Sequence, residues 1–310
     1  MVRAAGGGAP GRTGYAGAAD AWATDACLAY QPLARHLIGR YLDANQARRA
    51  DVAKRLRFDA RSNDHVSREA CPPNSPARTL RATPGQRWSE PNGIRALDVG
   101  TGTGAAADLL RNVGATVVGI DLEPDMARYA ARSGPTLVAD AVRLPFANGS
   151  FDLVVAAFVI SHLPDPVAGL RELRRVIRPG GAVAGSVFSL DRSAAKNAVD
   201  LVAADYGYVA PDWYRDFHRY ADRLGSVEGI RTACDRAGFS SVSVTAESID
   251  VGLNDPALVV RYRLGMPQLR RFVETLSAAD RARLTADATA AVRRSGDRFA
   301  PQVVEVIARR

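Results

Sequence analysis

Arg95 to Asp121 reads RALDVGTGTGAAADLLRNVGATVVGID. An apolar run from Ile94 to Val99 leads into three glycines within five positions, Gly100, Gly102 and Gly104. A helix-like stretch, Ala105 to Val113, follows, and then a second apolar run from Thr116 to Ile120. Strand, glycine turn, helix and strand form the opening unit of a parallel α/β sheet. Glycine lets the backbone pass close to a ligand, and the N–H groups it leaves unpaired stand at the positive end of the helix, where an anion or carboxylate is favoured. Asp121 ends the second run 21 residues after Gly100. That is the spacing, roughly 20 residues, at which a carboxylate accepts from both ribose hydroxyls of a nucleoside. The ligand class implied is a nucleoside-bearing cofactor.

Downstream the rhythm continues. Pro124 to Arg132 reads as a helix with proline in its first turn, Thr136 to Ala139 as a third strand, and SFDLVVAAF, ending at Phe158, as a fourth. Asp165 and Pro166 open a helix that reaches Ile177, with Val167, Leu170, Leu173, Val176 and Ile177 as its apolar face. RPGG, Arg178 to Gly181, is expected to be a turn before a fifth strand, AVAGSVFS. Residues 191–224 read as a helical insertion, Ser226 as the cap of a helix ending near Gly238, and SVSVTAESIDV as a sixth strand. Asp255 and Pro256 open a second helical stretch, in which SAAD at Ser277 to Asp280 resembles a capping box, and VVEVIA at Val303 to Ala308 is the last strand. Upstream, residues 1–18 are rich in Gly and Ala and are expected to be disordered. Ala19 to about Leu56 reads as helical, with Leu33, Leu37, Ile38, Tyr41 and Leu42 on one face, and residues 57–92 as an irregular connector. The expected organisation is an N-terminal helical cap with its connector, 19–92, and a single domain over 93–310.

Composition bounds the function classes. The chain has 310 residues, a net charge of +8 and 47% hydrophobic residues. The positive charge is almost all arginine, since lysine occurs only at Lys54 and Lys196, and the arginines are interspersed with Asp and Glu. Nucleic acid is therefore an unlikely partner on charge grounds. Cys27, Cys71 and Cys234 are odd in number and widely spaced, which suggests neither a disulfide framework nor a zinc site. No metal is expected. No apolar run approaches the ~20 residues of a membrane span, and the N-terminus lacks a secretory pattern, so a cytoplasmic protein is expected.

Two cofactors compete for the glycine turn. Read as G-x-G-x-x-A, Gly100, Gly102 and Ala105 satisfy the dinucleotide fingerprint of NAD or FAD proteins. Four features point elsewhere: Asp98 two positions before the first glycine, the third glycine at Gly104, ADAVRLPFANGSFDLVV after the third strand, and LRRVIRPGG before the fifth. With these the chain resembles the class I S-adenosylmethionine-dependent methyltransferases, in the group of ubiquinone and menaquinone C-methylases and bacterial small-molecule methylases. The resemblance is dense over residues 93–190. It implies a Rossmann-like, doubly wound α/β fold with a seven-stranded sheet, mostly parallel with the last strand antiparallel, carrying N-terminal helices and a helical insertion. It implies S-adenosylmethionine as cofactor and methyl transfer to an O, N or C nucleophile of a small organic molecule. By the same resemblance Gly100, Thr101 and Gly102 pass close to the methionine part, with Asp98 near its ammonium through backbone or water. Asp121 holds the ribose, Leu122 packs on the adenine with Met126 nearby, Asp140 accepts from the adenine amino group, the Ala141 backbone faces the ring edge, and Phe158 lies near the reactive methyl. Structural readings stand beside these: Asp140 capping a turn, and Leu122, Met126 and Phe158 as core residues.

On the acceptor side, His162 in VISHLPDP is either a general base or a loop residue bonding backbone. The segment YGYVAPDWYRDFHRY concentrates aromatic residues, and Trp213 and Tyr214 within it either cover a planar substrate or pack a helix onto the sheet. Methylation of RNA or DNA is the runner-up; base-amino methylases of this superfamily carry Asn/Asp-Pro-Pro-aromatic after the fourth strand, where this chain has AAFVISHLP. An NAD-dependent oxidoreductase is the further alternative. The sequence leaves the oligomeric state open.

Overall fold

The computed structural model describes residues 19–44, 93–189, 193–296 and 299–310. The readings made for residues 1–18, for the helix beyond Ala44 and for the connector 57–92 lie outside these. In chain order the elements are α1 (Ala19–Ala44), β1 (Arg95–Val99), α2 (Ala105–Asn112), β2 (Thr116–Asp121), α3 (Pro124–Ala130), β3 (Thr136–Val138) and β4 (Phe151–Ala157). A short 3-10 turn, Ile160–His162, precedes α4 (Pro166–Val176) and β5 (Ile177–Phe188). Then come α5 (Ala194–Asp205), α6 (Asp212–Leu224), α7 (Val227–Ala237), β6 (Ser241–Ser248), α8 (Pro256–Leu264), α9 (Pro267–Thr275), α10 (Ala278–Ser295) and β7 (Gln302–Arg309).

The seven strands lie in the order β3-β2-β1-β4-β5-β7-β6. Strands β1 to β5 pair in parallel, and β7 runs antiparallel between β5 and β6. This is the expected doubly wound sheet with its last strand reversed. The order turns at β1 and β4, whose connections leave in opposite directions, so the crevice for a ligand opens at their carboxyl ends.

Local chemistry explains most boundaries. Asp165 caps α4 by accepting from the Ala168 N–H at 2.9 Å, and Asp255 caps α8 from Ala257 at 2.9 Å, each with proline as the first helical residue. Ser226 does the same for α7 from Gly229 at 3.1 Å, and Gly238 closes that helix in the left-handed region. At Ser277 the box is only half made: its Oγ accepts from the Asp280 N–H at 3.0 Å while its own hydroxyl lies 2.6 Å from the Asp280 carboxylate. RPGG departs from the expected turn. Strand β5 begins at Ile177, opposite Phe151, and the register then jumps so that Ala182 faces Leu153, which makes the segment an irregularity inside the strand.

Three apolar clusters surround the sheet. One face packs on α4 and α7 through Leu170, Leu173, Ile230 and Cys234. The other packs on α1 and α2 through Leu37, Ile38, Ala107 and Leu110. The third cluster lies among α5, α8, α9 and α10 and takes in Phe158 from the end of β4 and Leu33 from α1. Leu33, Leu37 and Ile38 are fully buried, each contributing roughly 1.5–3 kcal/mol at most. Helix α1 is also fastened by charge: Arg40 donates to Thr245, to Glu247 at 3.1 Å and to the buried Glu305 at 3.2 Å. No helix among the described residues is long and apolar enough to cross a membrane.

Candidate active site

The glycine turn forms at the carboxyl end of β1. Gly100 has φ +65°, and a Cβ there would stand 2.5 Å from the Val159 side chain, so only glycine fits where the β1 and β4 loops meet. The Thr101 N–H donates to the Ile120 carbonyl at 2.8 Å, tying the turn to β2. Beneath it lies Asp98, only 1% exposed, accepting from Thr101 Oγ1 at 2.7 Å and from the Ala107 N–H at 3.1 Å. Its carboxyl is turned into the protein and braces the loop against α2; burial pushes its pKa up to about 7 against the pull of these two hydrogen bonds. Gly104 takes the left-handed position (φ +91°) that starts α2.

Asp121 closes the other side. Its Oδ2 accepts from the Gly102 N–H at 2.9 Å and its Oδ1 from the Glu123 N–H at 2.9 Å, so one carboxylate spans the tips of β1 and β2. Burial raises its pKa, and these backbone donors oppose the shift. Val138 is the register partner of Asp121, and Leu122 is the next residue after it; both are 50% exposed, unlike most large apolar residues of the sheet. The tips of β2 and β3 thus carry two half-exposed apolar residues next to a carboxylate in the chain and in register. Asp140, exposed just beyond β3, accepts from the Val142 N–H at 3.0 Å, and Ala141 is buried next to it. Met126 is a buried core residue.

Phe158 marks the end of β4. It has φ +59°, a strained conformation for a bulky side chain, and its N–H donates to the Ser186 carbonyl at 2.9 Å. Its ring stacks on Phe188 at 4.4 Å and meets Tyr30 of α1 edge-on at 5.4 Å. The glycine turn, Asp121 and this aromatic corner converge on the crevice at the β1/β4 switch.

A protein-family model described as a methyltransferase domain matches residues 97–185, which run from β1 into β5 and include the glycine turn, Asp121 and Phe158. Over those residues the chain is similar to that family. The chain is similar to the demethylmenaquinone methyltransferase of Beutenbergia cavernae, with 42% identity over 100 residues, 31% of this chain and 42% of that protein. It is similar to the ubiquinone biosynthesis O-methyltransferase of Xanthomonas oryzae pv. oryzae, with 32% identity over 147 residues, 44% of this chain and 59% of that protein. The chain thus spans about half the length of the curated relatives it matches. Among solved structures, Haemonchus contortus phosphoethanolamine N-methyltransferase 2 in complex with S-adenosyl-L-methionine is similar at 19% identity and a TM-score of 0.46, covering 72% of this chain and 50% of that one.

His162 sits in the turn after Phe158, against which α6 packs. Protein packed around its imidazole pushes the pKa down to about 4, so the ring is neutral at pH 7, while the residue keeps exposed surface. Trp213 and Tyr214 lie on α6 with ring centroids 5.7 Å apart, and Tyr214 meets His218 at 4.6 Å. The Tyr214 hydroxyl is 3.3 Å from Nη2 of Arg263, a buried residue of α8 whose Nε and Nη2 are each held at 2.7 Å by Asp200 of α5. Sequence reasoning missed Val138, Phe188, Asp200 and Arg263. The first two sit at the ends of strands that were otherwise legible, but the Asp200–Arg263 pair spans 63 residues and leaves no local pattern. A separate open cleft of about 480 Å³, lined by Ser189, Gly225, Ser226, Val227, Ala246, Gln302 and Val304, lies toward β6 and β7 and takes nothing from the glycine turn.

Proposed function

We propose that this chain transfers a methyl group from S-adenosylmethionine to an O, N or C nucleophile of a small organic molecule of quinone, phenol or secondary-metabolite type. The observation that carries this is the Asp121 carboxylate, which accepts from the Gly102 N–H and has the half-exposed Leu122 next to it in the chain and Val138 next to it in register. Those residues fit an adenosyl group: a carboxylate for the ribose diol and an apolar shelf for the ring. Gly100, Thr101 and Gly102 would run along the methionine part, with Asp98 acting from beneath. Asp121 would receive the ribose hydroxyls, Leu122 the adenine face, Asp140 its amino group and the Ala141 backbone its edge, with Phe158 beside the methyl. Bound there, S-adenosylmethionine supplies a methyl on a positively charged sulfur, an electrophile whose leaving group is already good.

The chain's own contribution is then positional. Holding the acceptor in line contributes up to roughly 7–11 kcal/mol. The Phe158, Phe188 and Tyr30 rings pack against one another and would exclude water from this end of the crevice. A neutral imidazole of low basicity suits His162 to hydrogen-bond an acceptor rather than to draw a proton from it near pH 7. We read 93–310 as the catalytic unit and 19–92 as its cap. The quinone-type acceptor is supported by the names of the two relatives above.

The test is incubation of purified protein with methyl-labelled cofactor and a panel of phenols, quinols and amines. Label is expected in at least one acceptor and not in the Asp121→Ala variant. Label transfer that is undiminished in that variant, or absent from every acceptor when cofactor binding is also absent, overturns the reading.

A further inference from the structure

Glu305 is a carboxylate in the face of the sheet that α1 covers. Ser186 of β5 and Thr245 of β6 are its register partners, so the three side chains share that face. Ser186 is 1% exposed and Glu305 3%. His36 and Arg40, one helical turn apart on α1, meet this spot. Arg40 donates to Thr245, Glu247 and Glu305, and His36 Nε2 lies 3.4 Å from Glu305 Oε2 and 3.5 Å from Glu247 Oε2.

The charges of this cluster do not balance. Glu247 and Glu305 are two anions, and Arg40 is one permanent cation. With a neutral imidazole the cluster keeps one negative charge in excess, which is costly beside a buried carboxylate. Nε2 without a proton sets a lone pair toward two carboxylate oxygens; with a proton it donates between them. Glu305 is open to the same proton. Its Oε2 accepts from Arg40, whereas its Oε1 and the Ser186 Oγ are buried without a hydrogen-bond partner among the described residues, so the register pair holds an acceptor for a proton placed on Oε1. Burial pushes the Glu305 pKa up, against the pull of His36 and Arg40. The His36 side chain, 33% exposed, connects the cluster to solvent. The other elements packed on α1 keep their charges in pairs of their own: Asp108 with Arg111 on α2, Asp125 with Arg128 on α3, and Arg263 of α8 with Asp200, while Arg261 of α8 is exposed.

We propose that a proton shared by His36 and Glu305 latches α1 onto the sheet, so that the helix docks at lower pH and releases as pH rises. When α1 leaves, His36 parts from both carboxylates and Glu305 regains water, so the cluster gives the proton up. For one proton the docking equilibrium then weakens by up to about tenfold per pH unit. Leu33, one turn before His36, shares a cluster with Phe158, and Tyr30, one turn earlier, meets the Phe158 ring. That docking closes the methyl end of the crevice rests on the methyltransferase reading above; the latch itself does not.

Hydrogen exchange of the full chain, read by mass spectrometry at pH 6, 7 and 8 and normalised to the unfolded chain at each pH, measures the docking of α1, with β1 and β4 as internal references. Wild type is expected to lose protection in α1 by at least about threefold per pH unit while β1 and β4 keep theirs. Glu305→Gln, which is neutral at every pH, should keep α1 protected at pH 8, where a merely structural carboxylate predicts the opposite. His36→Gln removes one of the two proton sites and should flatten the slope; it keeps the proposal testable if Glu305→Gln does not fold. Protection of α1 that is independent of pH in wild type, an α1 as open at pH 8 in Glu305→Gln as in wild type, or an unchanged slope in His36→Gln overturns the proposal. Calorimetry with S-adenosylhomocysteine at the same pH values reads the crevice separately. Affinity that falls toward pH 8 in wild type and holds in Glu305→Gln is expected, and affinity indifferent to pH while α1 opens overturns the link from latch to crevice. Absence of heat at every pH counts against the methyltransferase reading, whereas the exchange data still score the latch.

Discussion

At the scale of single residues, the loop that joins β1 to α2 is held by constraints that side-chain changes expose directly. Gly100→Ala places a methyl 2.5 Å from Val159 at a φ of +65°. The backbone term alone is about 1–2 kcal/mol, and the loop must also shift to relieve the contact. The expected result is a folded protein with at least tenfold weaker S-adenosylhomocysteine binding, measured by calorimetry. Asp98 gives a pH signature. With its pKa pushed up to about 7 from 3.8, the folded protein holds a proton there that the unfolded chain releases between pH 4 and 7. Its contribution is therefore full below pH 4 and is lost as pH rises through 7, by up to about 4 kcal/mol. In Asp98→Asn that component is absent, so denaturant titrations at pH 4 and pH 8 should show the variant gaining on wild type at the higher pH; an unchanged gap would contradict the buried, braced carboxyl. Asp121 and the glycines were legible in the sequence because their roles are local, fixed by a turn and a spacing. Arg263 was not, since a charged residue at helical spacing reads as a solvated face until a partner 63 residues away is brought to it.

At the scale of elements, the inner strands β1, β2, β4, β5 and β7 were readable because burial makes them largely apolar runs, the mostly exposed edge strand β6 by its alternating Ser and Val, and the helices because their caps are chemical. Asp165, Ser226 and Asp255 each cap the helix expected of them. The region after Asp255 divides into three helices, because Pro267 and Ser277 each begin a new one. RPGG misled, since Pro and Gly mark turns in general but here sit in a register jump that strand pairing across β4 and β5 absorbs. How α1 attaches was also invisible, because it depends on Glu305 of the last strand. Arg40→Met keeps the apolar stem and removes the cation, leaving the buried Glu305, among the described residues, with His36 at 3.4 Å as its ion-pair partner. A loss of about 1–3 kcal/mol is expected in denaturant unfolding, together with faster proteolysis within α1. Unchanged stability would show that α1 is held by Leu33, Leu37 and Ile38 without help from charge.

At the scale of the molecule, the part of the sheet from β1 into β5 carries the residues matched by the family model, and the helices α5 to α10 lie outside that match. The crevice follows from strand order, whereas the repeated strand-helix pattern implied only a mostly parallel sheet. The helical cluster follows from packing between segments far apart in the chain, and its aromatic residues could be counted in the sequence without showing which of them meet. The most direct measurement is a calorimetric titration of the purified chain with S-adenosylmethionine, S-adenosylhomocysteine and NADH, in wild type and Asp121→Ala. Saturating heat from the two adenosyl ligands, lost in the variant, with none from NADH, is the result expected of the pocket between Gly102 and Asp121. Heat from NADH with none from either adenosyl ligand would contradict it.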